Sequence, residues 1–290
     1  MVTGPARPNL VPMRIFVAGA TGQVGRLLIP LLIADGHQVT GIGRSETGLR
    51  TLAEQGATGV RVDVYDPAAL TAAVTAAAPD VLIHQLTALA GGSLAENARI
   101  RHEGTRNLVA AARAAGVQRL VAQSIAWAYA AGETPATEET PLDLDAGGTR
   151  GTTVAGVHAL ETQAAEITEH VVLRYGMFHG PGTWYHRDGR VGRQLLAGEF
   201  TVGQGVTSFL HIEDAAIAAA RAVTWPAGVY NIVDDQPLPG PVWAAALAES
   251  IGAPPPRVTA DRAGWERGAD NALAREKLSW TPGHPLFGTV

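Results

Sequence analysis

The sequence predicts an α/β fold, a doubly wound parallel sheet with a smaller, loop-rich C-terminal region. Three observations carry that expectation. From Met13 onward, short β-rich apolar runs alternate with alanine- and leucine-rich helical stretches, the pattern of successive βαβ units. Each run is short and apolar, as strands covered by helices on both faces should look. A glycine-rich turn, Gly19-Ala20-Thr21-Gly22-Gln23-Val24-Gly25, joins the first run to the first helical stretch.

The elements follow in order. A strand over Arg14–Ala18 leads into a helix near Val24–Ala34, and further strands are expected at Gln38–Ile42 and Gly59–Val62. Asp66-Pro67 reads as an N-cap followed by proline at the first helical position, opening a helix over Pro67–Ala77. Strands at Val81–His84, Arg119–Gln123 and Val171–Arg174 alternate with helices at Glu96–Ala115 and Thr153–Glu169. Right-handed crossovers then wind the sheet doubly. Beyond Arg174, Gly, Pro and Trp become frequent, and a strand-like piece such as Val229–Val233 stands isolated. The His211-Ile212-Glu213-Asp214 segment opens a helix with its acids at the positive end, and Trp280 anchors the tail.

Composition narrows the function. The chain has 290 residues, 46% of them hydrophobic, enough for a substantial core. A net charge of −5 repels phosphate backbones and anionic lipid, so neither nucleic acid nor a membrane is an expected partner. The absence of cysteine excludes thiol nucleophiles and cysteine-ligated zinc and fits a reducing cytoplasm. Residues 1–12 hold three prolines and no signal-type apolar core, which reads as a flexible lead. No run reaches the roughly 18 apolar residues of a membrane span.

The glycine turn carries the first functional reading. Its GxxGxxG spacing lies between a strand and a helix, where glycine lets backbone approach a pyrophosphate and the helix N-terminus holds the charge. Gly19, Thr21, Gly22, Gln23, Val24 and Gly25 are therefore candidate dinucleotide contacts on a Rossmann-type core, residues 13–174, with residues 175–290 as a substrate region interleaved with it. An acid at the end of the second strand would bind a ribose 2′-OH, whereas an arginine accommodates a 2′-phosphate. Here Gly43 is followed by Arg44 and Ser45, so NADP(H) is favoured over NAD(H).

Further segments fall into a recognisable order: Arg61-Val62-Asp63-Val64, Val81-Leu82-Ile83-His84-Gln85-Leu86-Thr87, Gly104-Thr105-Arg106-Asn107-Leu108, Leu173-Arg174-Tyr175-Gly176, Gly180-Pro181-Gly182, Val229-Tyr230-Asn231-Ile232 and Leu278-Ser279-Trp280-Thr281-Pro282. Together, from Met13 to about Pro282, they resemble the extended short-chain dehydrogenase/reductase superfamily, the NAD-dependent epimerase/dehydratase type. The resemblance implies that Asp63 and Val64 meet the adenine and that Gln85, Leu86 and Thr87 lie along the cofactor, with Tyr175 and Gly176 also at the dinucleotide. It implies reduction of a carbonyl or imine, or redox-neutral epimerisation through transient hydride transfer.

The family's Ser/Thr and Tyr-x-x-x-Lys do not carry over. The hydroxyl position falls on Ile125, one residue after Ser124, and the segment expected to hold the pair, Thr152–Glu161, contains neither tyrosine nor lysine. One register places Thr153 and Val157 there, the other Val154 and His158. Any acid within reach of the new alkoxide could serve instead, and Tyr129, Ser124 and His158 are the candidates. His179, Trp184, Tyr185 and His186 follow the sixth strand and suit a flat or cyclic apolar substrate. The histidines among them show no third histidine or carboxylate at ligand spacing, so no metal is expected. The resemblance also implies a homodimer, formed through the helices Glu96–Ala115 and Thr153–Glu169. A non-redox cyclase, isomerase or lyase, or a dinucleotide-binding sensor, stands as the alternative to an oxidoreductase.

Overall fold

The computed structural model describes residues 11–88 and 93–286. In chain order the elements are β1 (Arg14–Ala18), α1 (Gln23–Ala34), β2 (Gln38–Gly43), α2 (Glu46–Glu54), β3 (Thr58–Arg61), α3 (Pro67–Ala77), β4 (Val81–His84), α4 (Leu94–Arg99), α5 (Thr105–Ala114), β5 (Arg119–Ile125), α6 (Gly148–Ala164) and β6 (Glu169–Tyr175). They continue as β7 (Met177–His179), α7 (Arg190–Leu196), β8 (Thr201–Val202), β9 (Val206–Thr207), β10 (Phe209–His211), α8 (Ile212–Arg221), β11 (Gly228–Ile232), β12 (Leu238–Pro239), α9 (Gly240–Ile251), β13 (Arg257–Val258) and α10 (Ala272–Leu278). A π-helical turn, Ile100–Gly104, joins α4 to α5.

Seven strands form one sheet in the order β11-β6-β5-β4-β1-β2-β3. The β1–β2, β2–β3, β1–β4 and β4–β5 ladders are parallel. Chain direction across the sheet reverses between β1 and β4, the switch point where α/β sheets of this kind take ligands at their carboxyl ends. Register aligns Phe16 with Leu82 and Leu82 with Leu120, giving a fully buried row on one face that packs with Leu108 and Leu160. Burial of each such side chain contributes about 1.5–3 kcal/mol, which is why short strands suffice here.

The sequence expectations for β1, α3 and β4 match the observed bounds, and Asp66 caps α3 by accepting from the Ala69 N–H at 3.0 Å. Three corrections concern the rest. The helix expected over Thr153–Glu169 spans Gly148–Ala164, because the Glu169 N–H already donates to Gln118 O as β6 begins. The segment expected as an isolated strand is β11, the seventh strand of the main sheet. An unforeseen helix, α2, follows Arg44 and is capped by Ser45 Oγ, which accepts from the Gly48 N–H at 3.1 Å. Most of the expected N-terminal lead, residues 1–10, lies outside the described residues; Val11 and Pro12 are exposed and without regular structure.

The chain divides into two compact units. The first holds the described residues up to Ser124, with Asp145–Leu173 and Ala216–Val229. The second holds Ile125–Leu144, Arg174–Ala215 and the described residues from Tyr230 onward. The second unit has its own core, in which Phe209, Trp243, Leu247, Val191 and Leu195 are buried. Its strands pair in twos, β10 with β7, β12 with β9 and β13 with β8. As expected, α8 opens with Glu213 and Asp214 in its first turn, and Trp280 is buried.

Candidate active site

In the first unit the glycine turn is tightened by a bond from the Gly22 N–H to Gly19 O at 3.0 Å. Gly19 has φ +91°, and a Cβ there would stand 2.5 Å from the Gln85 carbonyl carbon, so the segment after β4 runs directly against it. A Cβ at Gly25 would meet Gly19 O at 2.2 Å, which is how α1 comes so close under the turn. Gly22 precedes α1 with no side-chain cap, and Gly22 and Gln23 are exposed, Thr21 half-buried. This is an uncapped helix N-terminus beneath a close backbone turn, the arrangement that receives a pyrophosphate.

The segment after β4 is held by a small network. The Gln85 N–H donates to Ala18 O at 2.7 Å, the Leu86 N–H to His84 Nδ1 at 3.2 Å, and Gln123 Nε2 to Leu86 O at 2.9 Å. With Nδ1 accepting, His84 presents Nε2–H to Thr105 Oγ1 at 2.9 Å. Burial, with the Arg101 cation adding to it, pushes the His84 pKa down to about 4, so the ring is neutral. Further along, the Ala88 N–H donates to Asn97 Oδ1 on α4 at 3.0 Å, and Thr87 is exposed. Asn107 Nδ2 holds Val64 O at 2.9 Å, while exposed Asp63 accepts from the Tyr65 N–H at 3.0 Å. Arg44 is exposed just before α2, and nearby Glu46 is engaged by Arg61 at 2.8 Å.

Ser124 is buried at the end of β5 and donates to Glu161 Oε1 at 2.7 Å. Arg101, 3% exposed, lies in the π-helical turn; burial lowers its pKa to about 10 while Glu161 pulls it back up. Its Nε has no hydrogen-bond partner among the described residues. On α6, Thr153 donates to Thr149 O at 3.1 Å and Val157 is buried, whereas His158 is exposed on the outer face of the helix.

In the second unit Tyr129 is 1% exposed, and its hydroxyl is held from both sides. It donates to Asn231 Oδ1 at 2.5 Å and accepts from Arg174 at 2.9 Å. Glu138 accepts from the Asn231 N–H at 2.6 Å, and burial raises its pKa. Tyr175 is buried with its hydroxyl 3.4 Å from Ala215 O, and the Gly176 N–H donates to Ile232 O at 3.2 Å.

A cavity of about 170 Å³ in the same unit is walled by Trp127, Tyr129, Met177, Tyr185, Trp243 and Trp265. Glu266, Thr207 and Ser208 supply its polar edge. A wider cleft of about 680 Å³ takes in His179, Tyr185, His186, Arg187, Glu249 and Ser250. Tyr185, which belongs to both, packs edge-on to Phe209 and Trp243 at 5.0 and 5.5 Å between ring centres, and burial pushes its pKa up to about 12. Trp184 is 39% exposed beneath Arg190. Sequence reasoning missed Trp127, Met177, Trp243 and Trp265 as cavity walls, and it missed Glu161 as the partner of Ser124. The one available signal was six tryptophans in a chain only 6% aromatic.

A parallel sheet with its switch point at β1 and β4, and a close glycine turn at a helix N-terminus, define a dinucleotide-binding α/β enzyme. Comparison with known proteins makes the class specific. Residues 15–233 match the model of the NAD dependent epimerase/dehydratase family, and the chain belongs to that family. It is similar to a 3-diazoavenalumate denitrifying reductase of Streptomyces sp, 43% identical over 95% of this chain and 98% of that one. In fold it is similar to WbmG of Bordetella bronchiseptica, solved with NAD and UDP, at a TM-score of 0.75 and 24% identity over 94% and 91% of the two chains. It is also similar to the UDP-glucose 4-epimerase of Thermotoga maritima, solved with UDP-glucose, at 0.76 and 22% over 94% of each. The protein is an NAD(P)-dependent oxidoreductase of the extended short-chain dehydrogenase/reductase type, and the reductase relative disfavours the non-redox and sensor alternatives. Among the described residues no helix is long and apolar enough to cross a membrane.

Proposed function

We propose that this protein is an NADPH-dependent reductase that removes a diazo group from a small aromatic substrate, replacing it with hydrogen and releasing dinitrogen. The observation that carries the reading is the aromatic cavity of about 170 Å³, since a cavity of about 150 Å³ accommodates one benzene ring. The likeness to a denitrifying reductase over nearly the whole of both chains supports it.

The sequence of the catalytic segment supports it as well. Reduction of a carbonyl creates an alkoxide that needs a proton donor, the task of a Tyr-x-x-x-Lys pair. An aryl diazonium ion is different. It takes up a hydride, the carbon–nitrogen bond breaks, the ring keeps a hydrogen and N₂ leaves, so that charge and atoms balance without a proton from the protein. Thr153 and Val157, or Val154 and His158, in place of the pair are compatible with that chemistry. Bound to the first unit, NADPH supplies the hydride.

The residues divide the work accordingly. Gly19, Thr21, Gly22, Gln23, Val24 and Gly25 receive the pyrophosphate, and Asp63 and Val64 the adenine. Gln85, Leu86 and Thr87 line the path of the dinucleotide. Arg44, beside the N-terminus of α2 and its cap Ser45, pairs with the 2′-phosphate, which selects NADPH. Tyr185, Trp127, Trp243 and Trp265 stack on the ring, with His179, His186 and Trp184 toward the wider cleft. Tyr129, its hydroxyl already engaged, is a wall of the cavity and not the acid. Ser124, whose proton goes to Glu161, offers only acceptor lone pairs, and exposed His158 takes no part. A cytoplasmic setting, consistent with a chain lacking cysteine, and a homodimer through α5 and α6 complete the proposal.

The test is to mix purified protein with NADPH and a hydroxybenzenediazonium salt, following NADPH oxidation optically and N₂ by mass spectrometry. Protein-dependent, equimolar loss of NADPH and release of N₂ is expected. Turnover of simple ketones with no effect on the diazonium salt would overturn the reading.

A further inference from the structure

The second unit gathers a set of imidazole and carboxylate groups that the hydride chemistry does not use. Strand β10 ends on His211, the first turn of α8 carries Glu213, and the C-terminal segment brings His284 to the same place. One ligand atom from each of these three residues lies within 4.8 Å of the other two, and all three side chains are half-buried.

The details distinguish this cluster from a chance meeting of polar groups. Asp214 Oδ2 accepts from the backbone N–H groups of Gly283 and His284 at 3.0 and 2.9 Å, while its Oδ1 lies 2.9 Å from His284 Nδ1. The ring is thereby oriented with its other nitrogen toward Glu213, and Nε2 to Oε2 measures 3.4 Å. A charge-assisted hydrogen bond would close to about 2.7–2.9 Å. Two ligands on a tetrahedral zinc with bonds of about 2.0–2.1 Å stand about 3.4 Å apart. A carboxylate behind a histidine is also how metal-ligating imidazoles are held and made more basic. An independent sign comes from His179, 7% exposed, whose Nε2 is buried with no hydrogen-bond partner among the described residues. Its ring meets that of His211 edge-on at 5.0 Å, and His211 stacks on His284 at 4.6 Å.

We propose that His211, Glu213 and His284 form a binding site for a divalent transition-metal ion, zinc above all, with His179 or water completing a four-coordinate shell. The nitrogen ligands exclude magnesium and calcium as the natural occupants, since those ions take oxygen donors. Capture costs the long 3.3 Å contact from the Glu213 N–H to His211 Nδ1, because a ring that ligates through one nitrogen carries its proton on the other. The role is that of a staple. It ties the chain near His284 to the start of α8, and it acts independently of the reductase reading. The histidine and carboxylate that local spacing around His179 and His186 could not supply come from positions 211, 213 and 284, brought together by the fold.

The experiment uses the full-length protein, stripped with a chelator and dialysed. Zinc chloride is titrated calorimetrically, cobalt(II) is followed by its visible absorption, and the melting temperature is read with and without zinc. Expected are one ion per chain, an intense tetrahedral cobalt spectrum, and a zinc-dependent rise in melting temperature. Glu213→Gln, which keeps size and fold, should weaken zinc binding by about tenfold or more and abolish the thermal shift. His284→Ala should do the same, while the exposed His158→Ala should change nothing. Absence of binding would overturn the site, and so would binding that both Glu213→Gln and His284→Ala leave intact.

Discussion

His84 makes the folding stability of the first unit depend on pH in a way that can be calculated. Its pKa falls from 6.5 to about 4 on folding, because the ring is buried and Arg101 is near. As pH drops below 6.5 the unfolded chain takes a proton that the folded chain refuses, so the stabilisation is complete above about 6.5 and is lost as pH approaches 4. A shift of this size corresponds to about 3 kcal/mol. The proton that finally enters must occupy Nδ1, where it displaces the Leu86 N–H and loosens the segment packed against Gly19. The assay is urea denaturation at a series of pH values from neutral to mildly acidic, on the wild type and on His84→Gln. Glutamine keeps a polar side chain beside Thr105 but does not titrate. The wild type should lose about 3 kcal/mol more than the variant across the window. His179 and His211 are also depressed by burial and contribute to both curves alike, so the difference isolates His84. Parallel curves would refute the reasoning.

Two further outcomes test the site assignments. Removing a charge-assisted contact to phosphate costs about 1.5–3 kcal/mol, so Arg44→Ala should weaken NADPH by about tenfold or more and leave NADH unchanged, measured by calorimetry. Tyr129→Phe strips a hydroxyl shared by Asn231 and Arg174, which should cost about 1–3 kcal/mol of stability with turnover falling less than tenfold. A hundredfold loss of turnover in a folded protein would restore Tyr129 as the acid.

The dinucleotide half of the site was legible because its logic is local: a strand, a glycine turn and a helix are contiguous in sequence, and three glycines at fixed spacing report close backbone approach. The inner strands β1 and β4 were legible for a related reason, since their buried runs, Ile15 to Ala18 and Val81 to Ile83, are all apolar. Less local features escaped. Helix α2 is short and mostly polar outside Leu49 and Leu52, and only the Ser45 cap hints at it. The start of α6 lies in Gly148-Thr149-Arg150-Gly151, a segment whose composition reads as a loop. Membership of β11 in the sheet depends on a partner more than fifty residues earlier, as β6 is. The cavity walls come from positions 127, 177, 185, 243 and 265, and no local pattern joins them. Tyr129 was visible as a residue, but not the partners that occupy its hydroxyl.

The π-helical turn at Ile100–Gly104 has a further consequence for how this protein can change. One residue of an α-helix corresponds to about 100° of rotation, and a π turn accommodates an extra residue without breaking the helix. Deleting one residue there would let α4 and α5 merge into a regular helix, but it would turn α4 about its axis relative to α5. Asn97 would then leave the Ala88 N–H, and Arg101 would leave the buried face beside Gly156. The hydrophobic face of α5 would be untouched. A deletion at this point is therefore expected to spare the fold and damage the segment after β4. The extra residue works as a phase adjuster, setting the angular position of one helix independently of its neighbour.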